Sequence, residues 1–176
     1  MTGIQGENLN ISIGKPQSGY YKILKLVEQV ADESGELPFT SADIGIGAES
    51  LKNYIKALND SQNSIYLVAY KGENPVGFGY LEGGKRERTY HSTNLGLGVL
   101  EDFSNQGIGS KILKSMLQYA QESESIAKID LQVRRDNAAA IKLYKKYGFE
   151  AEGVNKRALF IEGRFYDYIN MGMLID

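Results

Sequence analysis

The sequence predicts a mixed α/β fold in which a sheet of about six to seven strands is flanked by helices. Segments with helical and with strand-like apolar periodicity are interspersed along the chain. One stretch has the order strand, helix, strand, which predicts two parallel strands in the same sheet. The length of 176 residues is enough for one hydrophobic core, so we expect residues 1–176 to form a single domain.

A short strand and a helix come first. Ile11 and Ile13 indicate the strand. Apolar residues at helical spacing then predict a helix over residues 18–33. Gly35 and Pro38 follow it, and both residue types are typical of helix ends.

A second helix and three strands are predicted next. Residues 50–59 repeat the apolar stripe of a helix, and Ser50 is suited to cap it. Residues 64–70 and 76–82 alternate as strands do, and the intervening KGENP supplies turn residues, so we expect a hairpin. Residues 93–101 predict a third long strand.

The third long strand leads into a helix and a further strand. The helix has one apolar face, made of Ile108, Ile112, Leu113, Met116, Leu117 and Ala120. A strand at residues 128–133 follows, so the two strands on either side of the helix should be parallel. A helix over residues 137–147 stops at Gly148. Strands over 154–161 and 166–174, turned by EGR, complete the chain.

The composition excludes several classes of function. A net charge of -2 argues against a nucleic-acid-binding surface. The absence of cysteine removes disulfides, thiolate metal ligands and a cysteine acyl carrier. His91 is the only histidine, so we expect neither a metal site nor a Ser-His-Asp triad. The N-terminus lacks a basic segment followed by an apolar run, and no stretch is long enough for a membrane span, so we expect a cytoplasmic protein.

The glycines of GIG, residues 107–109, lie between a predicted strand and a predicted helix. Glycine lets the backbone approach a ligand closely, and the first-turn N–H groups of a helix favour a phosphate. A tight turn without a ligand is the alternative interpretation. The glycine spacing of a dinucleotide fingerprint is missing. Residues 79–86, GYLEGGKR, place Arg86 where a P-loop has Ser or Thr, so we interpret them as hairpin and loop.

Two segments resemble the acetyl-coenzyme A motifs of the GNAT acetyltransferase superfamily. They are LGLGVLEDFSNQGIGSKIL, residues 95–113, and NAAAIKLYKKYGF, residues 137–149. With the flanking strands the resemblance covers roughly residues 63–174. It implies a strongly twisted mixed sheet whose two central parallel strands splay apart around the cofactor. The family pattern Q/R-x-x-G-x-G/A falls on residues 104–109, with Ser104 in place of the usual Gln or Arg.

The resemblance implies a site for acetyl-coenzyme A as cosubstrate. Backbone N–H groups would hold the pyrophosphate at Asn105, Gln106, Gly107, Ile108, Gly109 and Ser110. The pantetheine arm would run beside Leu97, Gly98 and Val99. The Val99 N–H would face the thioester carbonyl and act as an oxyanion donor.

Tyr144 is the residue that the resemblance assigns to the chemistry. It lies in the family pattern A-x-x-L-Y-x-K-x-G-F, Ala140 to Phe149, where the tyrosine hydroxyl protonates the departing thiolate. By the same resemblance Asn137 touches the pantetheine. The alternatives are a packing tyrosine at 144 and a helix cap without a ligand at 137.

The implied reaction is direct transfer of an acetyl group to a primary amine in a ternary complex, because no cysteine is present to carry the acyl group. The acceptor must lose a proton before it attacks. Glu36, Glu101 and His91 are the candidates for the base, and each has an ordinary surface role as its alternative.

An acidic stretch offers one indication of the acceptor. Between Leu26 and Leu51 there is no Lys or Arg. The carboxylates there are Glu28, Asp32, Glu33, Glu36, Asp43 and Glu49. In the family the first two helices border the acceptor cleft, which suggests a cationic amine steered by this stretch. A solvated helix face is the alternative.

The sequence leaves the acceptor open between a small amine or polyamine and a protein N-terminus. Two other classes remain as alternatives: a catalytically silent acetyl-coenzyme A-binding regulatory module, and a different nucleotide-binding enzyme that uses the GIG turn. We expect no nucleic-acid or membrane partner. Exposed strand edges and a tyrosine-rich C-terminal hairpin favour a homodimer.

Overall fold

Seven strands form one open sheet in the computed structural model, which describes residues 10–176. The strands are β1 (Ile11–Gly14), β2 (Ile65–Lys71), β3 (Asn74–Gly83), β4 (Ser92–Val99), β5 (Lys128–Arg134), β6 (Glu150–Ile161) and β7 (Arg164–Leu174). They lie in the order β1-β2-β3-β4-β5-β7-β6. All neighbours are antiparallel except β4 and β5. The predicted mixed α/β class and the parallel pair of the β-α-β unit are therefore confirmed.

Four α-helices flank this sheet. They are α1 (Tyr20–Ser34), α2 (Ala48–Asn59), α3 (Ile108–Glu122) and α4 (Ala138–Lys146). None of these helices is long and apolar enough to cross a membrane. The expectation that the chain has no leader segment rests partly on residues 1–9, which lie outside the described residues.

Two boundaries differ from the prediction. Ser50 lies inside α2, which is capped by Gly47, so the predicted serine cap is wrong. The Leu51 N–H donates to the Gly47 carbonyl at 3.1 Å, and this bond starts the helix at Ala48. The third long strand ends at Val99, two residues early, because Glu101–Phe103 turns into a 3-10 helix.

The helix ends were better predicted than the start of β6. Gly35 and Gly148 take φ angles of 54° and 97°, in the left-handed region that glycine enters without strain, and they end α1 and α4 as expected. β6 begins at Glu150, four residues before the predicted start. Its first eight side chains are exposed, so apolar alternation could not reveal it.

The two faces of the sheet carry separate hydrophobic cores. The side of α3 and α4 is centred on Ile112, Leu113, Met116, Ile129, Phe149 and Met171. The side of α1 and α2 is centred on Ile23, Val30, Ile55, Tyr66, Val68 and Phe78. The strands β2 and β3 contribute side chains to both cores.

The parallel strands β4 and β5 separate soon after they start. Their register consists of Ser92–Lys128, Thr93–Ile129 and Asn94–Asp130. Beyond Asn94 each strand keeps its other neighbour, since β4 pairs with β3 as far as Val99 and β5 with β7 as far as Arg134. The sheet therefore divides into two halves, which confirms the splay that the resemblance implies.

Glycines of β3 and β4 let the two helical layers approach the divided sheet. A Cβ at Gly79 would lie 2.5 Å from Ile112 Cγ2 and 2.9 Å from Met116 Cε of α3. On the opposite face, a Cβ at Gly98 would lie 2.8 Å from Val30 Cγ1 of α1. Contacts this short are repulsive, so these positions accept no side chain without displacing a helix.

We expect Gly79→Ala to lower the free energy of unfolding by roughly 1–3 kcal/mol, because the new methyl group overpacks α3 against β3. Gly45→Ala is the matched control, since a Cβ there meets nothing within 4 Å. Urea denaturation of both variants measures the difference. Equal stability of Gly79→Ala and the parent protein would contradict this account of the packing.

Candidate active site

The gap between β4 and β5 opens into a cavity of about 990 Å³. Its walls are the carboxyl ends of these two strands, the N-terminal end of α3, one side of α4, and the segment that follows α1. The cavity therefore exists because the sheet divides, and it lies where chain segments from all parts of the fold meet.

The backbone of β4 presents polar groups to this gap. The Leu100 N–H donates to the Val76 carbonyl at 3.0 Å, and hydrogen bonds along a strand alternate between its two sides. The N–H of Val99 therefore points away from β3 and toward the gap. Leu97 has the same orientation, and the register of β4 with β5 ends at Asn94–Asp130, before it reaches Leu97 or Val99. A ligand in the gap can pair with these groups.

The N-terminal end of α3 borders the same cavity. Gly107 precedes the helix with a φ of 79°, and Asn105 also takes a left-handed φ of 58°. The first N–H groups of a helix have no partner within it, and here they belong to Ile108, Gly109 and Ser110. These groups and the positive end of the helix dipole are suited to hold a phosphate.

Most of the residues predicted from the sequence meet at the cavity. Its lining includes Leu97, Gly98, Val99, Asn105, Gly107, Ile108, Gly109, Ser110, Asn137 and Tyr144. Gln106 is not part of the lining, and its side chain donates to the Asp102 carbonyl at 3.0 Å. Ser104 lines the cavity, while its hydroxyl donates to the Glu101 carbonyl. A serine here therefore stabilises its own turn, where a longer Gln or Arg would reach outward.

A pair of hydroxyl groups connects the two motif helices. Ser110 Oγ at the start of α3 lies 2.7 Å from the Tyr147 hydroxyl at the end of α4. Sequence reasoning missed this contact, because the two residues are 37 positions apart. The contact links the start of α3 to the end of α4 on the side of the predicted phosphate site.

Tyr144 is a buried residue in the wall of the cavity. Only 8% of its surface is exposed, and its ring packs edge-on against Phe149 at 5.7 Å. Burial, with a smaller effect of the nearby Glu36 carboxylate, raises the pKa of Tyr144 to about 12. Among residues 10–176 the hydroxyl has no hydrogen-bond partner. A buried phenol of this kind stays protonated at neutral pH and is available to a ligand.

Asn137 is confirmed as the cap of α4. Its side-chain oxygen accepts from the Ala140 N–H at 3.0 Å. The residue also lines the cavity, so the cap and a ligand contact are compatible.

Of the three candidate bases, Glu36 lies in the cavity wall and the other two do not. Burial raises the pKa of Glu36, against the opposing effects of Asn137 and Arg134. Glu101 lies in the 3-10 helix after β4 and is exposed. His91 precedes the opposite end of β4, about 26 Å from Val99 at the rise per residue of a strand.

Most carboxylates of the acidic stretch, which runs from α1 into α2, accept hydrogen bonds from the protein itself. Asp32 accepts from the Ser41 N–H at 2.8 Å, Glu33 from the Glu101 N–H at 2.9 Å, and Asp43 from the Thr40 N–H at 2.8 Å. Folding also places Arg134 beside Glu36, with Nε 4.0 Å from the carboxylate. The acidic stretch thus shapes the loop more than it faces an acceptor.

Across residues 10–176 no three His, Cys, Asp or Glu side chains cluster as a metal site requires.

Sequence reasoning missed the polar residues on the second face of the divided sheet. Asn94, Asp130, Gln132 and Asn170 all line the cavity there, together with the Tyr80 ring. The alternation of KIDLQV contained the signal, since its polar positions share one face of β5.

Comparison with known sequences identifies relatives along most of the chain. Residues 28–149 match the model of the Acetyltransferase (GNAT) family. An L-amino acid N-acetyltransferase from Escherichia coli strain K12, AaaT, is 35% identical over 62% of this chain and 68% of its own length. The N-alpha-acetyltransferase RimI of Mycobacterium tuberculosis is 28% identical over 58% and 63%. A spermidine N(1)-acetyltransferase from Escherichia coli strain K12 is 24% identical over 67% and 62%. The chain thus spans about two thirds of the length of these relatives.

Solved structures share the fold over nearly the whole chain. An acetyltransferase of the GNAT family from Streptococcus pneumoniae superimposes with a TM-score of 0.90 at 26% identity, covering 94% of this chain and 99% of that one. The Salmonella typhimurium protein yncA, solved with its cofactor acetyl-CoA, gives 0.82 at 14% identity and covers 94% of each chain. At that identity the likeness to yncA establishes the fold alone.

We expect Gly107→Ala to weaken the binding of coenzyme A, because a left-handed φ costs an alanine about 1–2 kcal/mol and relaxation would turn the first N–H groups of α3 away. Gly72→Ala is the matched control, with a φ of 61° in the turn between β2 and β3. Both variants should lose similar stability in urea, while calorimetry should show weaker binding only for Gly107→Ala. Unchanged affinity in Gly107→Ala would argue against phosphate binding at this helix end.

Proposed function

Because the chain belongs to the GNAT acetyltransferase family, we propose that residues 1–176 form one domain that transfers the acetyl group of acetyl-coenzyme A to a primary amine. The observation that carries the proposal is the cavity at the division of the sheet. The cavity is lined by the first residues of α3, which carry free N–H groups, by Val99, whose N–H faces the gap, and by Tyr144, which carries a hydroxyl. These are the groups that acyl transfer from a thioester requires.

The residues present fit the cosubstrate. The start of α3 offers N–H groups to the pyrophosphate, and the outward-facing backbone of β4 offers partners to the amides of the pantetheine arm. Acetyl-coenzyme A supplies the acetyl group as a thioester. Attack by the amine nitrogen forms the C–N bond and breaks the C–S bond, which leaves an amide and the free coenzyme thiol.

Two groups of the chain act on this transfer. The Val99 N–H faces the carbonyl oxygen and stabilises the negative charge that develops there during attack. The Tyr144 hydroxyl donates its proton to the departing sulfur, and its raised pKa keeps that proton in place until it is needed. The phenolate recovers a proton from the acetylated nitrogen through solvent, so protons balance over one turnover.

Glu36 is the base in this proposal. An alkylammonium group has a pKa near 10, so it must give up a proton before its nitrogen can attack. Glu36 lies in the cavity wall, and burial raises its pKa, which makes the carboxylate a better proton acceptor. It takes the proton directly or through one water molecule.

The acceptor is a primary amine, either a small molecule or a protein N-terminus. The relatives named above act on L-amino acids, on spermidine and as N-alpha-acetyltransferases. The experiment is the release of coenzyme thiol from acetyl-coenzyme A against a panel of these amines. Tight binding of acetyl-coenzyme A without turnover on any amine would favour the alternative, a catalytically silent regulatory module. The available Tyr144 hydroxyl argues for turnover.

A cytoplasmic location and a homodimer stay predictions. β6 lies at the edge of the sheet, and Phe160 and Phe165 near the turn to β7 are exposed, which supports self-association. Light scattering coupled to size-exclusion chromatography measures the oligomeric state.

We expect Tyr144→Phe to lower kcat by about 100-fold, because the thiolate must then leave without a proton donor. The affinity for coenzyme A should change little, since the ring and its contact with Phe149 remain. Tyr147→Phe is the matched control on the same helix, because it removes only the hydroxyl that bonds to Ser110. Equal kcat values for the two variants would exclude Tyr144 as the acid.

We expect kcat/KM to rise with pH as Glu36 ionises, over a range above the ordinary glutamate pKa of about 4.3. The sign follows from the role, because only the ionised carboxylate accepts a proton. Glu36→Gln should abolish this acid limb and lower kcat/KM by about 100-fold. Glu101→Gln, at an exposed position outside the cavity lining, should keep the parent profile. A limb that persists in Glu36→Gln would assign the base elsewhere.

A further inference from the structure

The open face of the divided sheet carries polar side chains that the transfer chemistry leaves unused. On this face Gln132 Nε2 donates to Asn170 Oδ1 at 3.0 Å, between β5 and β7. Asn94 and Asp130 lie beside them, and all four side chains line the cavity. The helices α1 and α2 lie mainly over β2 and β3, and α1 also contacts β4. A substrate can therefore reach the reacting centre across this face.

The strand register places carboxylates in a row across this face. Glu82 of β3 pairs with Asn94 of β4, Asn94 with Asp130 of β5, and Asp130 with Gly172 of β7. Paired residues project from the same face of a sheet. Gly172 has no side chain, and the Glu152 carboxylate of β6 lies over it. We call Glu82, Asp130 and Glu152 the acidic row.

The acidic row has more negative than positive charge. Lys128 is the cation within it, with Nζ 2.8 Å from Asp130 and 2.9 Å from Glu152. Glu82 accepts from the neutral Tyr54 hydroxyl at 3.0 Å. Three carboxylates against one ammonium group leave two negative charges along the acidic row, and Asp130 is the member of the row that lines the cavity.

A further carboxylate lies at the other end of the face. Arg134 is four positions from Asp130 along β5, about 13 Å at the rise per residue of a strand, and Glu36 lies beside Arg134. Glu36 lines the same cavity as Val99 and Tyr144, and the acidic row is about 13 Å farther along β5. The two ends together are suited to an elongated ligand with positive charge at both ends.

The cavity offers no cation to a substrate carboxylate. No Lys, Arg or His is among the residues that line it within the described chain. The nearby Arg134 already donates from each of its three nitrogens, because Nε and Nη2 donate to Asp136 at 2.9 and 2.6 Å and Nη1 donates to the Gly35 carbonyl at 3.0 Å. Its guanidinium also stacks on Tyr166 at 4.0 Å. A carboxylate brought into this site would lose water without gaining a partner.

We infer that the acceptor is an amine that carries a second ammonium group and no free carboxylate. The reacting amine lies near Val99, Tyr144 and Glu36, and the second ammonium group lies at the acidic row. This inference rests on the proposed acetyl transfer. It selects one class among the acceptors of the relatives and rejects free amino acids, although AaaT is an L-amino acid N-acetyltransferase.

The experiment compares kcat/KM for spermidine and spermine, which carry several ammonium groups along an extended chain, with that for n-butylamine and for L-amino acids. The polyamines should be the best acceptors, and added salt should reduce their advantage over n-butylamine because it screens the second charge. Asp130→Asn should lower kcat/KM for the polyamines roughly tenfold and leave n-butylamine unchanged.

Lys128→Met should have the opposite effect, because it removes the cation of the acidic row and leaves the carboxylates uncompensated. We expect a higher kcat/KM for spermidine and no change for n-butylamine. A loss of folding cannot produce such a gain, so the pair of variants separates charge recognition from stability. Glu73→Gln, in the exposed turn between β2 and β3, makes the same change in charge as Asp130→Asn outside the cavity and should leave every acceptor unchanged.

The outcomes distinguish a failure of this inference from a failure of the proposed acetyl transfer. Efficient acetylation of amino acids, or equal responses of spermidine and n-butylamine to both variants, would overturn the inference and leave the acetyl transfer standing. Binding of acetyl-coenzyme A without transfer to any amine of the panel would overturn the proposed function and the inference together.

Discussion

The separation of β4 and β5 after Asn94–Asp130 is the constraint on which the rest of the site depends. Each strand keeps a complete ladder with its other neighbour, so the sheet stays rigid while its centre opens. The opening exposes the backbone of β4, admits the start of α3 and brings Tyr144 of α4 within the same space. The opening is accessible from both faces of the sheet, so two reactants can approach it from opposite sides. Small glycines at 79 and 98 allow the helices to stay close to a sheet of this shape.

Much of this architecture could be predicted because its signals are local. The apolar stripe of α3, the glycine at 107 and the asparagine cap at 137 are short-range patterns, and the structure contains all three. The order strand, helix, strand predicted the parallel pair, and the two family motifs predicted the splay. Ser50 failed as a cap, because the chain starts the helix earlier, at the bond between Leu51 and Gly47. β6 began earlier than predicted because its first side chains are exposed and carry no apolar pattern.

The polar features of the site could not be predicted, because they arise from contacts between distant residues. The acidic stretch contains no Lys or Arg in the sequence. The fold nevertheless places Arg134 of β5, which is 98 positions from Glu36, beside that residue. Three strands that are far apart in sequence supply the carboxylates of the acidic row. Tyr147 meets Ser110 in the same way. The charges that meet at a site are therefore determined by which strands pair and in which register, whereas a helix cap is determined by a few neighbouring residues.

Beyond Asn94, β4 has no hydrogen-bonded strand partner on the side of β5 in the described part of the chain. This part of β4 resembles an edge strand, although it lies inside the molecule. Edge strands on a surface invite pairing with other chains, but the edge at Leu97 and Val99 lies in the cavity between α3 and β5. An extended small molecule can enter and complete the ladder. Without a ligand, these amides should exchange their hydrogens with solvent faster than their neighbours on β4 that bond to β3. A bound ligand that pairs with them should slow this exchange, so the centre of the sheet becomes fully hydrogen-bonded only in the complex.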